Sequence, residues 1–430
     1  MAEPERKLKT VARTRKMRAR NFRFIRIFVA IIALIIAFCL GFALRGHTHF
    51  LASLGLPSSI TGITQAVTSD NTATSEDVFH SLSARVKEVD TLIFEDSLDT
   101  YELEPTTDAV LTAIAGSSND PYMRYYSNER YTELLTQQDE GYAGIGVLFS
   151  EHNGQAYAVD VFEGSDAQEK GVQSGDFVVS VDVDSSQTWS RAEVAAKLAQ
   201  AADSEVVITW RRPDKPLGDG GEEFTTTLMC REYDEANVTS EYDKESQVGY
   251  IKVRQLTENA ASLTKKAVEK LLKDGAKSFV LDLRDNPGGY LSQAVDVASL
   301  FMKSGTVVEV QTTNGISAKN ASGQPVTDAP LVVLVNQNTA AGAEVIAAAL
   351  KESQRASDLV GSTTLGKGSV QVVSQLSFGG ALRYTAAFYL TPEGHAIDQA
   401  GVTPTKPLDA EKSKQKSYAI ELAGSLIAED

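Results

Sequence analysis

The feature that most limits the fold of this 430-residue chain is an alternation of strands and helices that begins near residue 248. Short apolar segments are typical of buried strands, and the amphipathic stretches between them are typical of helices. The predicted strands cover residues 250–253, 278–283, 307–312, 331–335 and 381–390, and the predicted helices lie near 260–273, 290–302 and 342–351. Gly275 follows the first helix, where a glycine commonly ends a helix. This pattern predicts an α/β layer domain with functional loops at the carboxyl ends of its strands.

The sequence before residue 248 has a different pattern of apolar and turn residues. Between about residues 141 and 233, short apolar segments alternate with turns such as Ser174-Gly175-Asp176, and one helix-like stretch lies at 190–201. This pattern predicts a small β-rich module. Residues 76–135 show ragged helical periodicity, and the Ser/Thr/Gly-rich segment from 46 to about 75 shows none, which is typical of a stalk.

A basic head and a long apolar run stand at the start of the chain. Residues 1–26 hold ten basic and two acidic side chains, although the whole chain carries a net charge of −16. Residues 27–44 hold no charge, and a helix of that length spans about 27 Å, close to the hydrocarbon thickness of a bilayer. Because Arg45-Gly46-His47 offers no cleavage site, an uncleaved anchor is favoured over a signal peptide. The positive-inside rule places the head in the cytoplasm and the remainder outside.

Composition excludes several classes of function. The 57 acidic side chains against 41 basic ones argue against nucleic acid as a partner. Two cysteines, Cys39 and Cys230, cannot build a disulfide framework, and five scattered histidines do not indicate a zinc site. The sequence Gly366-Lys367-Gly368 lacks the spacing of a phosphate-binding loop. No metal and no other cofactor is therefore expected.

Two predicted strand-to-helix junctions contain the candidate chemistry. The first reads Arg284-Asp285-Asn286-Pro287-Gly288-Gly289, and its glycines can turn backbone N–H groups toward a ligand near a helix N-terminus. Taken alone, the glycine pair favours a plain tight turn over a ligand-binding loop. The second junction is residues 336–344, NQNTAAGAE, and GKGSVQ follows at 366–371.

In this order, these motifs resemble the C-terminal processing peptidases, also called tail-specific proteases. The resemblance covers most of residues 76–405, and its motifs are Asp120-Pro121-Tyr122, Gly144-Ile145-Gly146, the two junctions, residues 366–371 and Gly401-Val402-Thr403-Pro404. It implies a multi-domain α+β protein with an N-terminal transmembrane helix, a helical segment, a PDZ domain and an α/β peptidase domain of the crotonase-like or ClpP-like type.

Domain boundaries follow from these assignments. We predict a cytoplasmic head at 1–26, a transmembrane helix at 27–44, a stalk at 45–75, a helical segment at 76–140, a PDZ domain at 141–232, a peptidase domain at 240–408 and a tail at 409–430. The resemblance implies polypeptide substrates with free C-termini and a single-pass protein of the cell membrane whose PDZ and peptidase domains are extracytoplasmic. The resemblance is also compatible with a homo-oligomer.

The resemblance also implies the catalytic residues. The family uses a serine nucleophile, a lysine base and a glutamine that orients the lysine, and the last two correspond to Lys367 and Gln371. The nucleophile position is occupied by Ala341. The candidate donors of an oxyanion hole are the backbone N–H groups of Gly288, Gly289 and Gly342.

A peptide-binding loop is implied as well. In the family's PDZ domain, the loop that corresponds to Gly144, Ile145 and Gly146 binds a terminal carboxylate through its N–H groups while the peptide adds as a strand. The groove lies beside a helix, here residues 190–201. An ordinary glycine turn without a ligand is the alternative.

The methyl group of Ala341 cannot attack a carbonyl, so the chain as written is predicted to be inactive. Three explanations stay open: a variant in which the nucleophile was replaced by alanine, a natural pseudopeptidase that only binds peptides, or Thr339 or Ser369 acting instead. The third would misplace the oxyanion donors. The residue encoded at position 341 in the source genome separates the first two.

Overall fold

The computed structural model describes residues 81–136, 143–185, 188–199, 203–232 and 236–427. The predicted head, transmembrane helix and stalk lie outside these residues, and within them no helix has the length and apolar character needed to cross a bilayer. The chain divides into two units, Met1–Tyr101 and Glu102–Asp430. In the first, helix α1 (Leu82–Asp96) begins at Ser81, whose side chain accepts the N–H of Ala84.

The second unit opens with a helical segment that contains a strand the sequence did not predict. Its elements are α2 (Leu103–Gly116), β1 (Arg124–Tyr126) and α3 (Asn128–Thr136). Between α2 and β1, the carboxylate of Asp120 accepts the N–H and the hydroxyl of Thr385 at 2.7 and 3.0 Å. This contact fastens the segment to a distant strand of the same unit.

A β module follows, as the sequence predicted. Its five-stranded antiparallel sheet has the order β3-β4-β5-β6-β7, and β2 pairs with β8 beside it. The elements are β2 (Ala143–Gly144), β3 (Val147–His152), β4 (Gln155–Val161), α4 (Asp166–Glu169), β5 (Phe177–Val181), α5 (Arg191–Leu198), β6 (Glu205–Arg212), β7 (Glu222–Met229) and β8 (Arg231–Glu232). Helix α5 starts with a reciprocal capping box between Ser190 and Glu193, which fixes its first turn.

The predicted α/β layer is confirmed by a six-stranded sheet with the order β18-β15-β14-β11-β10-β9. Its neighbours are parallel except for β9 against β10. The strands are β9 (Val238–Asp243), β10 (Val248–Val253), β11 (Ser278–Asp282), β14 (Leu331–Val335), β15 (Asp358–Gly361) and β18 (Lys406–Pro407). Every residue of β11 and β14 is buried, which explains their almost unbroken apolar runs.

Helices cover this sheet. They are α6 (Ala260–Asp274), α7 (Leu291–Ser299), α8 (Gly342–Glu352) and α9 (Lys412–Ser425). Gly275 ends α6 with φ of 104°, as its position predicted. The tail predicted at 409–430 forms α9, and it packs on the sheet through Ala419 and Ala423, both fully buried.

A further sheet completes the unit. Its order is β1-β17-β12-β13, and β16 also pairs with β17. The strands are β12 (Thr306–Thr312), β13 (Gly315–Asn320), β16 (Ser369–Gln375) and β17 (Ala381–Leu390). Strand β16 begins two residues after Lys367. The strands β12 and β17, which the sequence placed in the α/β alternation, belong to this separate sheet.

Candidate active site

The two strand-to-helix loops meet at one edge of the six-stranded sheet. Strands β11 and β14 are parallel neighbours, so their carboxyl ends lie side by side. The N–H of Ala340 donates to the carbonyl of Asn286 at 2.9 Å. Asn336 accepts the N–H of Asp285 at 3.0 Å and donates to its carboxylate at 2.9 Å. The structure therefore joins the loops that the sequence singled out separately.

Ala341 lies on a strained turn at the start of α8. Its backbone angles are φ 50° and ψ −119°, in a region that non-glycine residues rarely occupy. A Cβ added at Gly288 would lie 2.9 Å from the Cβ of Ala341, so the glycine is needed for the close approach. The nucleophile position thus faces the predicted oxyanion loop.

The three predicted oxyanion donors are not equivalent. The N–H of Gly288 donates to the side-chain oxygen of Asn286 at 2.8 Å and is therefore engaged. Within the described residues, the N–H groups of Gly289 and Gly342 have no acceptor. These two groups, one from each loop, are the ones available to a developing negative charge.

Lys367 is buried, with 11% of its side chain exposed. Burial lowers the pKa of its amine to about 8, and the nearby Glu151 carboxylate acts in the opposite direction. The amine lies 3.8 Å from Glu151 Oε2 and 5.3 Å from the ring centre of Tyr122. A lysine with this pKa can lose its proton near neutral pH, which a general base requires.

Glu344 connects the Ala341 turn to the lysine loop, which is the loop of Gly366 and Lys367. The sequence did not indicate this role for Glu344. Its carboxylate is fully buried and accepts the N–H groups of Ala341, Gly366 and Lys367 at 2.8, 2.6 and 2.8 Å. The hydroxyl of Thr364 donates to it as well. Burial raises the pKa of Glu344 to about 7 against the effect of these donors. The available signal was an acidic residue at the third position of a helix whose next six residues are all apolar.

Known proteins share this architecture. Residues 247–408 match Peptidase family S41. A carboxyl-terminal-processing protease of Picosynechococcus sp. is 34% identical over 305 residues, which cover 68% of this chain and 70% of that protein. One from Synechocystis sp. is 33% identical over 298 residues, 68% of each chain. The chain belongs to the C-terminal processing peptidase family. The members of this family are serine-type peptidases.

A solved structure of the same family agrees with the fold. The photosystem II D1 C-terminal processing protease superposes with a TM-score of 0.64 at 26% identity, covering 81% of this chain and 92% of that one. The mixed α/β arrangement of a C-terminal processing peptidase therefore extends beyond the S41 segment into the preceding modules.

Within the described residues, no hydrogen bond joins Gln371 to the lysine amine. The Gln371 side chain donates to Ser369 Oγ at 2.9 Å. The pairing of β16 with β17 shifts register between Val370 and Gln371, and such an irregularity redirects the side chains that follow it. In this arrangement the polar group facing Lys367 is the carboxylate of Glu151, on strand β3 of the β module.

Thr339 and Ser369 are poorly suited to replace the missing nucleophile. The hydroxyl of Thr339 is fully buried, donates to the carbonyl of Leu283 at 2.8 Å and accepts the N–H of Asn336 at 3.0 Å. It is part of the loop framework, which excludes it as a nucleophile. Ser369 lies on β16, whereas both available oxyanion donors lie in the two loops of the α/β layer.

The predicted peptide-binding loop is closed in this structure. Gly144, Ile145 and Gly146 are all buried. Gly144 pairs with Arg231, and the carbonyl of Gly146 accepts the N–H of Phe162 at 2.8 Å. A peptide carboxylate could reach this loop only after its surroundings move.

The C-terminal helix supports the oxyanion loop. Asp285 is buried with φ of 60°, and the Lys412 amine lies 2.6 Å from its carboxylate. The carbonyl of Lys412 accepts a hydrogen bond from Arg284 at 2.7 Å. A segment that the sequence suggested as a tail therefore stabilises the loop that contains Gly288 and Gly289.

Proposed function

We propose that this chain is a membrane-anchored C-terminal processing peptidase, a hydrolase that captures polypeptide C-termini and cleaves them with a serine/lysine pair when position 341 is serine. The observation that carries the proposal is the strained turn at Ala341, linked through Glu344 to the buried Lys367. The chain as written lacks only the hydroxyl oxygen of the nucleophile and is inactive for that reason.

With serine at position 341, the neutral amine of Lys367 takes the hydroxyl proton as the oxygen attacks the scissile carbonyl. The N–H groups of Gly289 and Gly342 stabilise the resulting oxyanion. The lysine then gives its proton to the leaving amine, and the C–N bond breaks to leave an acyl-enzyme. Water, deprotonated by the same lysine, hydrolyses the ester and restores the serine.

The β module acts in this proposal as a PDZ domain. Its support is the antiparallel sheet with α5 beside it and the Gly144-Ile145-Gly146 sequence before strand β3. An extended peptide would add along β3 with its carboxylate at that loop. Because the loop is closed, capture requires an opening of the module.

Membrane attachment and an extracytoplasmic location remain proposals that rest on residues 1–44. We expect external protease to digest residues 81–427 in cells whose outer barriers are permeabilised and whose cytoplasmic membrane is intact. Full protection of these residues, with digestion only after membrane lysis, would exclude this topology.

A second candidate function is that of a pseudopeptidase that binds peptides without cleaving them. The observation in its favour is Ala341 itself, which occupies the position where the family has its nucleophilic serine. The codon at position 341 in the source genome separates the candidates, because serine supports the enzyme and alanine supports the binder.

The pH dependence of cleavage tests the role of the lysine. In the Ala341→Ser form, kcat/KM should rise about tenfold between pH 7 and pH 9, because a lysine with a pKa of about 8 changes from about 9% to about 91% neutral. Glu151→Gln should move the midpoint of the curve of kcat/KM against pH to lower pH, because the Glu151 carboxylate raises the pKa of Lys367.

The matched control is Asp176→Asn. Asp176 is another buried carboxylate of the β module, and it pairs with Arg212 at 2.7 Å. This change should leave the midpoint where it is. A midpoint that is the same with and without the Glu151 carboxylate would contradict the proposed contact with Lys367.

A further inference from the structure

A buried carboxylate lies near two cations beside the candidate base. It belongs to Glu151 of β3, and its Oε2 atom accepts a hydrogen bond from Arg383 Nη2 at 3.1 Å, while the same nitrogen lies 2.9 Å from Oε1. The amine of Lys367 lies 3.8 Å from Oε2, a longer distance than that of a charge-assisted hydrogen bond. The guanidinium therefore binds the carboxylate, and Lys367 keeps only a looser electrostatic contact with it.

Arg383 is held in this position by its surroundings. It is a buried residue of β17, and the ring of Tyr122 packs against both cations, with its centre 5.3 Å from the Lys367 amine and 5.9 Å from the guanidinium carbon. The N–H of Tyr122 donates to the carboxylate of Asp120 at 3.0 Å. The same carboxylate binds Thr385, two residues after Arg383 on β17. The ring and the strand thus fix the guanidinium next to the base.

The charges around the amine act in opposite directions. Burial lowers the pKa of Lys367 to about 8, Glu151 opposes this effect, and Arg383 adds to it. Burial raises the pKa of Glu151, but the neighbouring cations outweigh burial and the carboxylate stays ionised. The other charged or titratable groups near this cluster are His152 of β3, Arg191 of α5, Glu344 of α8, Tyr122, Arg124 of β1 and Asp398 after β17.

The contact between Arg383 and Glu151 matters to the base for a simple reason. A buried carboxylate that loses its partner pairs with the nearest remaining cation, because an unpaired buried charge is costly. For Glu151 this cation is the amine of Lys367, at 3.8 Å. A lysine held in a full ion pair stays protonated, and a protonated amine cannot accept the proton of a nucleophile.

We propose that Arg383 is a positioning residue for the base: by binding Glu151, it keeps this carboxylate from forming a full ion pair with Lys367 and so leaves the amine free to act. This inference rests on the proposed peptidase function and adds to it a residue outside the motifs of the family. Arg383 does not touch the substrate in this proposal, and it acts through Glu151.

The first test uses the full chain as written and needs no catalysis. Lys367 lines an open cavity of about 630 Å³, through which a small reagent can reach its amine. Acetic anhydride in trace amounts acylates only neutral amines, and mass spectrometry gives the rate at Lys367 as a function of pH. Arg383→Gln should raise the midpoint of this curve by about one pH unit and lower the rate at pH 7 about tenfold.

The second variant removes both charges, so that it buries no unpaired carboxylate and folds even where Arg383→Gln does not. In the Glu151→Gln background, Arg383→Gln should move the midpoint by much less than one pH unit, because the carboxylate through which Arg383 acts is absent. A shift of the same size with and without the Glu151 carboxylate would overturn the proposal, since Arg383 would then act on Lys367 directly. No shift in either background would also overturn it.

Two further variants separate charge from packing. Arg383→Lys keeps a cation beside Glu151 and should bring the midpoint back toward that of the parent, and a midpoint as high as in Arg383→Gln would contradict the proposal. Arg212→Gln is the matched control, because Arg212 also pairs with a buried carboxylate, that of Asp176, at 2.7 Å. This variant should leave the midpoint at Lys367 unchanged.

The cleavage test uses the Ala341→Ser form. Arg383→Gln should lower kcat at pH 7 about tenfold with little change in KM, and the loss should disappear at pH 10, where the amine is neutral in both forms. A loss of equal size at every pH would mean a structural role and would overturn the proposal. If the serine form is inert while the acylation of Lys367 still depends on Arg383, the peptidase function fails and the role of Arg383 at the lysine stands.

Discussion

Ala341→Ser should raise the cleavage of an unstructured peptide with an apolar C-terminus by about 10⁶-fold, the size of the loss when another serine protease is deprived of its nucleophile. The turn at position 341 already has φ of 50°, and Gly288 faces it without a side chain. Serine adds a single oxygen to a turn whose backbone the Glu344 carboxylate joins to the backbone of Lys367, next to the N–H group of Gly342. The measurement is kcat/KM of the chain as written and of the serine form.

The control is the same serine form with Lys367→Ala, which should return close to the rate of the chain as written, because the base is then absent. Cleavage by the chain as written at the rate of the serine form would mean that the nucleophile is elsewhere, and Ser369 would be the next candidate. A serine form that folds and binds peptide but stays inert would establish the pseudopeptidase.

Glu344→Gln should lower the free energy of unfolding by about 2 kcal/mol, the usual cost of leaving buried hydrogen-bond donors without an acceptor. The Glu344 carboxylate accepts four hydrogen bonds from donors that have no other acceptor nearby. A glutamine has one acceptor oxygen, and its amide nitrogen would face backbone N–H groups. Chemical denaturation of the parent and of the variant measures the difference.

A matched variant is Glu352→Gln at the other end of α8. Glu352 accepts one hydrogen bond, from the N–H of Glu393 at 2.8 Å, so its replacement should cost at most about 1 kcal/mol. If Glu344→Gln and Glu352→Gln had the same free energy of unfolding, the Glu344 carboxylate would not be the connection between the Ala341 turn and the lysine loop.

Local sequence patterns located three of the six strands of the α/β layer, β10, β11 and β14. Strands β11 and β14 are covered on both faces, so all their residues are apolar or buried, and such runs are visible without any knowledge of the fold. The loops after parallel neighbouring strands necessarily open at one edge. For this reason the Gly288-Gly289 loop and the Ala341 loop could be predicted to meet. The strands β13 and β16 were missed, because their residues are largely exposed and carry no clear apolar alternation. In the layer itself β9, β15 and β18 were missed, because β9 is only partly buried and the other two are very short.

The polar contacts of the site could not be predicted in this way. Glu151 lies more than two hundred residues before Lys367 in the sequence, and no local periodicity relates them. Gln371 was expected at the lysine, but an irregularity in strand pairing gives its hydrogen bond to Ser369. Arg191 and Gly289 line one cavity although they belong to different modules.

The sequence by itself determined the family, the α/β layer and the residues at the nucleophile and base positions, because these depend on short motifs and on apolar periodicity. Only the tertiary structure decided which groups surround them: Glu344 between the turn and the lysine loop, Glu151 at the amine, and Lys412 at the oxyanion loop. The physical reason is that a buried charge is stable only where several distant chain segments place their partners around it.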